Sequence, residues 1–190
     1  MPIGSSTVRG VLVVAATARE LDPLDCAETL ICGFGPIEAA IATARALAAR
    51  QYRAVLHIGI AGARDLAPGA LVIGSEAVYC DLVDPTSGYP RIAHARPDSE
   101  LLVAAERALP EALVAPIATS ARVGGGSSCC EVEAMEGFGV LRAAAAAGVP
   151  ALELRAVSNR FGAARVDWRI DEALGALSRA VPRVLEAIGA

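Results

Sequence analysis

Three polar side chains that could act together lie within one short stretch of the sequence, residues 134–159. Glu136 stands at the start of an apolar helical segment, Arg155 lies in the strand-like segment that follows, and Asn159 comes directly after it. Because open α/β sheets bind ligands beyond the carboxyl ends of their strands, we expect the three groups to face one crevice. A carboxylate, a guanidinium and a carboxamide in one crevice indicate a site for a small polar molecule.

Each of these residues also has an ordinary structural interpretation. A carboxylate such as Glu136 is favoured in the first turn of a helix by the helix dipole. Arg155 and Glu153 are two residues apart, on one face of the strand, and could form a structural ion pair. Asn159 alone is typical of a turn. The combination, more than any single residue, favours a site.

Strands and helices alternate along the chain around this stretch. We predict a helix from about Met135 and Glu136 to Gly148, and then a strand over residues 151–157. The other predicted strands cover residues 11–16, 29–32, 54–60, 71–79 and 113–120. The other predicted helices run from Pro36 to about Arg50, over 98–109 and over 170–188, the last kinked or split at Pro182. This alternation predicts one three-layer α/β domain over residues 1–190, with a mostly parallel central sheet.

Several connecting segments carry groups that also matter for binding. The loop after the first strand holds Glu20, and the strand over 54–60 ends in Ala61 and Gly62, small residues that let a ligand approach the backbone. Residues 122–130 are more typical of a mobile loop than of a phosphate loop. His57, in the middle of a strand, is more typical of a satisfied core histidine than of a catalyst.

The composition excludes several classes of chemistry. All 17 basic residues are arginine, so a Schiff base, a pyridoxal phosphate linkage and a P-loop lysine have no residue to form them. Five cysteines without CxxC spacing and two histidines favour neither a disulfide framework nor a metal site. A net charge of −4 without a basic cluster argues against nucleic acid as a partner.

The apolar content predicts how the protein behaves as a whole. Hydrophobic residues make up 54% of the chain, which favours a sheet covered on both faces and an apolar interface with further copies. No uncharged stretch reaches the roughly 18 residues that a membrane span needs. We therefore expect a soluble cytoplasmic protein without a membrane partner. A polar surface loop is predicted over residues 81–97.

Three separated motifs give the chain a recognisable family resemblance. They are AATARE, which ends at Glu20; GIAGARDLAPGALVIGS, which begins at Gly59; and AMEGFGVLRAAAAAGVPALELRAVSN, which ends at Asn159. Together they resemble the nucleoside phosphorylase and nucleosidase superfamily, in its methylthioadenosine/S-adenosylhomocysteine nucleosidase-like branch. Within that branch the chain is most similar to the futalosine hydrolases. The last motif ends in Ser-Asn and is followed by Trp168, where methylthioadenosine nucleosidases carry Ser-Asp.

The resemblance implies an α/β/α sandwich that forms a homodimer or a higher homo-oligomer and hydrolyses the N-glycosidic bond of a purine nucleoside without a cofactor. For a futalosine hydrolase the products are hypoxanthine and dehypoxanthine futalosine, in menaquinone biosynthesis. By the same resemblance Glu20 orients and deprotonates the attacking water, and Arg155 helps to hold that water. Met135 and Glu136 contact the ribose.

The remaining roles implied by the resemblance concern the base. Ala61 and Gly62 supply backbone contacts near the base and the water, and Asn159 contacts N7 of the leaving purine. A carboxamide can accept from a protonated N7 and donate to a 6-oxo group, so Asn159 suits hypoxanthine better than adenine. The aromatic residue that should stack on the base is not evident in GGGSSCC, and Phe161 and Trp168 are the candidates.

Other functions on the same fold compete with this interpretation. A methylthioadenosine/S-adenosylhomocysteine nucleosidase and a purine nucleoside phosphorylase are the enzymatic alternatives, and a non-catalytic nucleoside-binding protein is another. These functions can be distinguished by the base that is released, by the dependence of the reaction on phosphate and by the sugar product.

Overall fold

A mixed sheet forms the centre of the molecule. The computed structural model describes residues 9–22, 28–82, 88, 91–124 and 129–189. The strands of the sheet are β1 (Arg9–Ala15), β2 (Glu28–Ile31), β3 (Tyr52–Ala63), β4 (Leu71–Tyr79), β5 (His94–Ala95), β6 (Leu113–Thr119), β7 (Val132–Ala134) and β8 (Ala151–Arg160). The helices are α1 (Ala18–Leu21), α2 (Pro36–Ala49), α3 (Ser99–Ala108), α4 (Gly137–Ala147) and α5 (Ile170–Gly189). A short 3-10 turn spans Arg165–Asp167.

The strand order brings the ends of three strands together. The sheet runs β2-β1-β3-β7-β6-β4-β5, and β8 pairs with both β3 and β4. Along most of its length β3 runs parallel to β8, but its last residues, Gly62 and Ala63, also pair with β7 in the antiparallel direction. Parallel pairs outnumber antiparallel ones, which confirms the mostly parallel, mixed sheet. The carboxyl ends of β3 and β8 therefore lie next to β7 at the same end of the sheet.

Helices cover both faces of the sheet, as the apolar content predicts. On one face α2 and α4 pack on each other, and Leu47, Val140 and Leu141 join the core beneath them. On the other face α3 and α5 pack together above Leu56 and Leu154. Burial of these side chains is the main force that holds the three layers together. The three-layer α/β/α arrangement is confirmed.

The contact between α2 and α4 is unusually close because of a glycine. A Cβ atom at Gly139 would lie 2.2 Å from the carbonyl oxygen of Pro36, so only glycine lets the first turns of the two helices touch. This contact brings the loop before α2 next to Glu136. The start of α2 thereby becomes part of the same region as the ends of β3 and β8.

The structure corrects several predicted boundaries. The helix begins at Gly137, and Glu136 is its N-cap residue, because a short strand, β7, occupies the preceding residues. The predicted strand over 151–157 continues to Arg160, so Asn159 pairs with Gly62 inside the sheet and does not form a turn. Gly148 ends the helix in a left-handed conformation with φ of 68°, as expected.

Other corrections concern short or interrupted elements. The loop after β1 contains the one-turn helix α1, and the predicted polar loop over 81–97 contains β5; positions 83–87, 89 and 90 lie outside the described residues. Helix α5 is continuous through Pro182, so of the expected kink or split the structure excludes the split. The proline ring is on the exposed side, and the buried stripe beside it, which includes Leu177, Val181 and Val184, keeps the helix against the sheet. In the part of the chain that the structure describes, no helix is both long and apolar enough to cross a membrane.

Candidate active site

A pocket of about 280 Å³ opens where the carboxyl ends of β3 and β8 meet α1, β7 and the start of α4. Six of the seven residues predicted for the site line it: Glu20, Ala61, Gly62, Met135, Glu136 and Asn159. The seventh, Arg155, is 1% exposed and lies behind the pocket wall. The structure thus brings together groups from four separate parts of the chain, and it places the arginine beneath the pocket instead of in its lining.

Glu20 is held at the edge of this pocket by three hydrogen bonds. Its Oε2 accepts from the backbone N–H and the hydroxyl of Thr17, at 2.9 and 2.8 Å, and its Oε1 accepts from the backbone N–H of Ile60 at 3.2 Å. These donors fix both oxygens of a carboxylate that is 8% exposed. A fixed carboxylate in the lining of a pocket can orient a water molecule there and accept its proton.

Arg155 is the centre of a fully buried polar cluster. Its Nε donates to Glu153 Oε1 at 2.8 Å, so the ion pair suggested by their spacing is formed. Its Nη2 lies 3.6 Å from Glu136 Oε2 and also donates to Nε2 of His57. The Nδ1 of His57 lies 3.0 Å from the carbonyl oxygen of Val14, which assigns the ring proton to Nδ1 and leaves Nε2 as an acceptor.

The charge of Arg155 and the burial of its neighbours determine their protonation. Burial, and then the positive charge of Arg155, holds the pKa of His57 well below its usual range, so the ring is neutral. This agrees with the interpretation of His57 as a satisfied core histidine. Burial also raises the pKa of Glu153, although Arg155 acts in the opposite direction.

Glu136 connects this cluster to the pocket. Its side chain does not cap α4; its Oε1 accepts from the backbone N–H of Gly35 at 3.1 Å, and its Oε2 faces Arg155. Burial raises the pKa of Glu136, and the positive charge of Arg155 opposes that effect. The interpretation of Glu136 as a dipole-favoured first-turn carboxylate was therefore wrong, because the side chain points across to the loop before α2.

Gly59 leaves the space in which Glu20 and Arg155 approach each other. A Cβ atom at Gly59 would lie 2.2 Å from Arg155 Nη1 and 2.9 Å from Glu20 Oε1. Real Cβ atoms do not come that close to other heavy atoms, so the two functional groups need a glycine here. Sequence analysis used Gly59 only as the start of a motif and did not identify this steric role.

Asn159 presents its carboxamide to the pocket in a fixed orientation. Its Oδ1 accepts from the hydroxyl of Ser158 at 2.8 Å, and its Nδ2 donates to the carbonyl oxygen of Arg160 at 3.0 Å. The Ser158 hydroxyl also lies 3.2 Å from the carbonyl oxygen of Ala61. A carboxamide has two lone pairs on oxygen and two N–H bonds, so one acceptor and one donor position remain for a ligand.

The structure distinguishes between the two candidate aromatic residues. Trp168 lines the pocket, and its indole N–H donates to the carbonyl oxygen of Ala163 at 3.1 Å. Phe161 is outside the lining and lies beneath the guanidinium of Arg64. A further aromatic residue that sequence analysis missed, Phe34, lines the pocket from the loop before α2 and is 67% exposed. A large apolar side chain between two loop glycines was the signal that could have identified it.

No set of three or more His, Cys, Asp or Glu side chains is arranged to hold a metal ion in the described parts of the chain. The groups that line the pocket are carboxylates, guanidinium groups, a carboxamide, two hydroxyls, and small, aliphatic and aromatic side chains. This arrangement can bind a polar molecule with one apolar face, and it can supply a general base next to a carboxylate that stabilises positive charge.

Comparison with known proteins gives a family model and relatives that agree with each other. The model of the phosphorylase superfamily matches residues 27–130. A futalosine hydrolase of Streptomyces coelicolor is 38% identical over 184 residues, which cover 83% of this chain and 77% of that protein.

Solved structures share the fold at lower identity. The futalosine hydrolase of Helicobacter pylori superposes with a TM-score of 0.82 at 16% identity, covering 94% of this chain and 98% of that one. A 5′-methylthioadenosine/S-adenosylhomocysteine nucleosidase of Colwellia psychrerythraea, solved in complex with adenine, superposes with a TM-score of 0.84 at 21% identity, covering 95% and 96%. At these identities the likeness shows the fold alone.

Proposed function

Since the chain belongs to the futalosine hydrolase family of the phosphorylase superfamily, we propose that it hydrolyses the N-glycosidic bond of futalosine and releases hypoxanthine and dehypoxanthine futalosine. The chain is an N-glycosyl hydrolase. We propose that its reaction is a step of menaquinone biosynthesis. The observation that carries the proposal is the pocket itself, in which the buried carboxylates of Glu20 and Glu136 and the carboxamide of Asn159 face the same space.

The roles of the carboxylates follow from the charge that develops during bond breaking. As the bond between C1′ and N9 breaks, the sugar acquires oxocarbenium character. Glu136 accepts hydrogen bonds from the sugar hydroxyls and stabilises this charge, with Met135 against the ribose. Glu20 orients a water molecule and takes one of its protons while the water oxygen bonds to C1′. Arg155 is held by Glu153 behind the pocket wall. From its position beside Gly59 it acts on the proton transfer to Glu20.

The base is held on the side of the sugar opposite the attacking water. The purine leaves with a proton at N7 that comes from solvent, and the free lone pair of Asn159 Oδ1 accepts from that N–H. The remaining N–H of Asn159 Nδ2 donates to O6. Ala61 and Gly62 offer backbone contact beside the base, and Trp168 offers an aromatic surface.

The test of this proposal is the identity of the products. The protein is incubated with futalosine, inosine and methylthioadenosine, each with and without phosphate, and the base and the sugar are identified by chromatography and mass spectrometry. We expect hypoxanthine and a free sugar from futalosine at a rate that does not depend on phosphate. A ribose 1-phosphate product would instead indicate a phosphorylase, and preferential release of adenine would indicate a methylthioadenosine nucleosidase. Binding of all three without turnover would indicate a non-catalytic protein.

We also propose that the protein is cytoplasmic and forms a homodimer or a higher homo-oligomer. Support for association comes from large apolar side chains exposed beside the pocket, among them Phe34 and Ile37, which are 67% and 69% exposed. Support for the compartment comes from the spacing of the five cysteines, which favours no disulfide framework. Light scattering of the wild type and of Ile37→Glu tests the association, because a charge at this position should shift a dimer towards monomer.

A further inference from the structure

Three cysteines meet at one place outside the lining of the pocket. Cys80 follows β4, and Cys129 and Cys130 precede β7. The Sγ atoms of Cys80 and Cys129 are 2.9 Å apart, and those of Cys129 and Cys130 are 3.6 Å apart. The spacing of the cysteines in the sequence does not reveal this cluster, because the fold joins two distant segments to form it.

The sheet holds both sides of this contact in place. The backbone N–H of Cys80 donates to the carbonyl oxygen of Thr119 at 3.0 Å, which attaches Cys80 to the end of β6. On the other side, the carbonyl oxygen of Glu131 accepts from the backbone N–H of Arg64 at 3.0 Å, which attaches the second segment beyond the end of β3. The sulfur atoms of Cys80 and Cys129 are therefore brought together by backbone contacts that do not depend on the thiols.

Geometry favours a bond between Cys80 and Cys129 over one between Cys129 and Cys130. The two Cα atoms of a disulfide are usually about 4.4 Å or more apart, whereas neighbouring residues joined by a trans peptide are about 3.8 Å apart. The described chain contains no cis peptide bond. The sulfur atoms of Cys80 and Cys129 need to approach by only about 1 Å to reach the bonded distance of about 2.0 Å. Cys80 is therefore the partner that fits Cys129.

The surroundings of the three thiols also differ. Cys129 is exposed, so a dissolved oxidant reaches it, whereas Cys80 and Cys130 are half-buried. Burial, and then the hydrogen bond with Cys129, raises the pKa of Cys130 to about 12. Because the thiolate is the reactive form of cysteine, Cys130 is a poor nucleophile at neutral pH. Cys129 is thus the thiol that reacts with an oxidant first.

We propose that Cys80 and Cys129 are a redox-sensitive pair that a peroxide converts into a reversible disulfide. The thiolate of Cys129 attacks one oxygen of hydrogen peroxide, which yields a sulfenic acid on Cys129 and a hydroxide that is protonated to water. The sulfur of Cys80 then bonds to the sulfur of Cys129, and the sulfenic oxygen leaves with the proton of Cys80 as a second water molecule. Two thiols of a low-molecular-weight reductant such as glutathione reverse the reaction and become a disulfide themselves.

This bridge would join the end of β4 to the segment that leads into β7. Glu133 and Ala134 of β7 line the pocket, and Met135 and Glu136 follow them in the lining. Closing the long loop between the two cysteines removes conformational freedom from the unfolded chain, so the oxidised protein should resist unfolding better than the reduced protein. The stabilisation does not depend on the reaction catalysed in the pocket.

Peptide mapping under non-reducing conditions detects the bridge. The reduced protein is treated with a small excess of hydrogen peroxide, the remaining thiols are blocked with N-ethylmaleimide, and trypsin cleaves the chain after its arginines. Cys80 then lies in the peptide 65–91, and Cys129 and Cys130 lie in the peptide 123–142. We expect these peptides as one linked species that carries a single maleimide, on Cys130, and dithiothreitol should separate them.

Serine variants identify the bonded pair. Cys80→Ser and Cys129→Ser should abolish the linked species, and peroxide should leave their midpoint of urea unfolding unchanged. Cys130→Ser is the matched control, because Cys130 is next to Cys129 on the same peptide. This control should keep the linked species and, like the wild type, should unfold at a higher urea concentration after oxidation.

Three outcomes would overturn the redox pair. The first is a wild type in which Cys129 is oxidised to sulfinic acid and the linked peptides never form. The second is loss of the linked species in Cys130→Ser. The third is a link that joins only separate copies of the chain, which a non-reducing gel shows as a doubled mass. A bridge that left the urea midpoint unchanged would contradict its stabilising role.

Discussion

Replacing Gly59 with alanine tests whether the active centre depends on the space that this glycine leaves. The added methyl group would lie 2.2 Å from Arg155 Nη1, where ordinary contacts begin at 3.4 Å. Either the added methyl group or the guanidinium of Arg155 must therefore move by about 1 Å. Arg155 cannot rotate away freely, because Nε is bound to Glu153 and Nη2 to His57. Glu20, whose Oε1 would be 2.9 Å away, is fixed by Thr17 and Ile60.

These distances give the expected size of the effect. A misplacement of about 1 Å in a reacting group costs roughly 10² in rate, so kcat/KM for futalosine should fall by about that factor. Overpacking a buried site should also reduce the free energy of unfolding by about 1–3 kcal/mol. We would measure kcat/KM by steady-state kinetics and the free energy of unfolding by urea denaturation.

The control for this experiment is Gly10→Ala. Gly10 is also in a strand, but a Cβ atom there would meet no heavy atom within 4 Å. The control should keep the wild-type activity. If Gly59→Ala also kept the wild-type kcat/KM, the close approach of Glu20 and Arg155 around this glycine would not be needed for the reaction.

Further substitutions test the buried charges one at a time. Glu20→Gln should lower kcat by roughly 10² or more with substrate binding preserved, because it removes the proposed general base; a change in KM alone would contradict that role. Glu136→Gln should lower kcat more than it raises KM. Burial raises the pKa of Glu136, and the proposed role of Glu136 requires its ionised form. Wild-type kcat/KM should therefore fall with decreasing pH at a value above the ordinary glutamate range, and this acid limb should be lost in Glu136→Gln. Glu153→Ala should destabilise the fold by about 3–5 kcal/mol, because it leaves Arg155 buried without its partner, whereas Glu153→Gln keeps an acceptor and should cost clearly less; equal losses in urea denaturation would contradict this.

The predicted site residues came together because their positions depend on local sequence signals. Glu136 precedes a helix, and Asn159 lies at the end of the strand that follows it; the apolar pattern and Gly148 define both elements in the sequence. The carboxyl end of a parallel strand is a known place for ligands. The alternation of strands and helices likewise predicted the layers. These features need no knowledge of which strands are neighbours.

The features that sequence analysis missed depend on contacts between distant segments. Strand β7 has three residues, too few for a periodic pattern, and it is defined by pairing with β3 and β6. Asn159 has the character of a turn residue, but pairing with Gly62 extends β8 over it. The role of Gly59 is visible only when Glu20 and Arg155 are seen on either side of it.

The preference for a 6-oxopurine at Asn159 tests the central claim most directly. The carboxamide has one acceptor and one donor position left for the base, which match a protonated N7 and O6. We would measure kcat/KM for futalosine and for its 6-amino analogue on the wild type and on Asn159→Asp. The wild type should prefer futalosine by about 10² or more, since a mismatched buried polar contact is costly, and the aspartate should narrow or invert that preference. Equal rates on the wild type, or a preference unchanged by the substitution, would contradict the assignment of this protein as a hydrolase that recognises hypoxanthine.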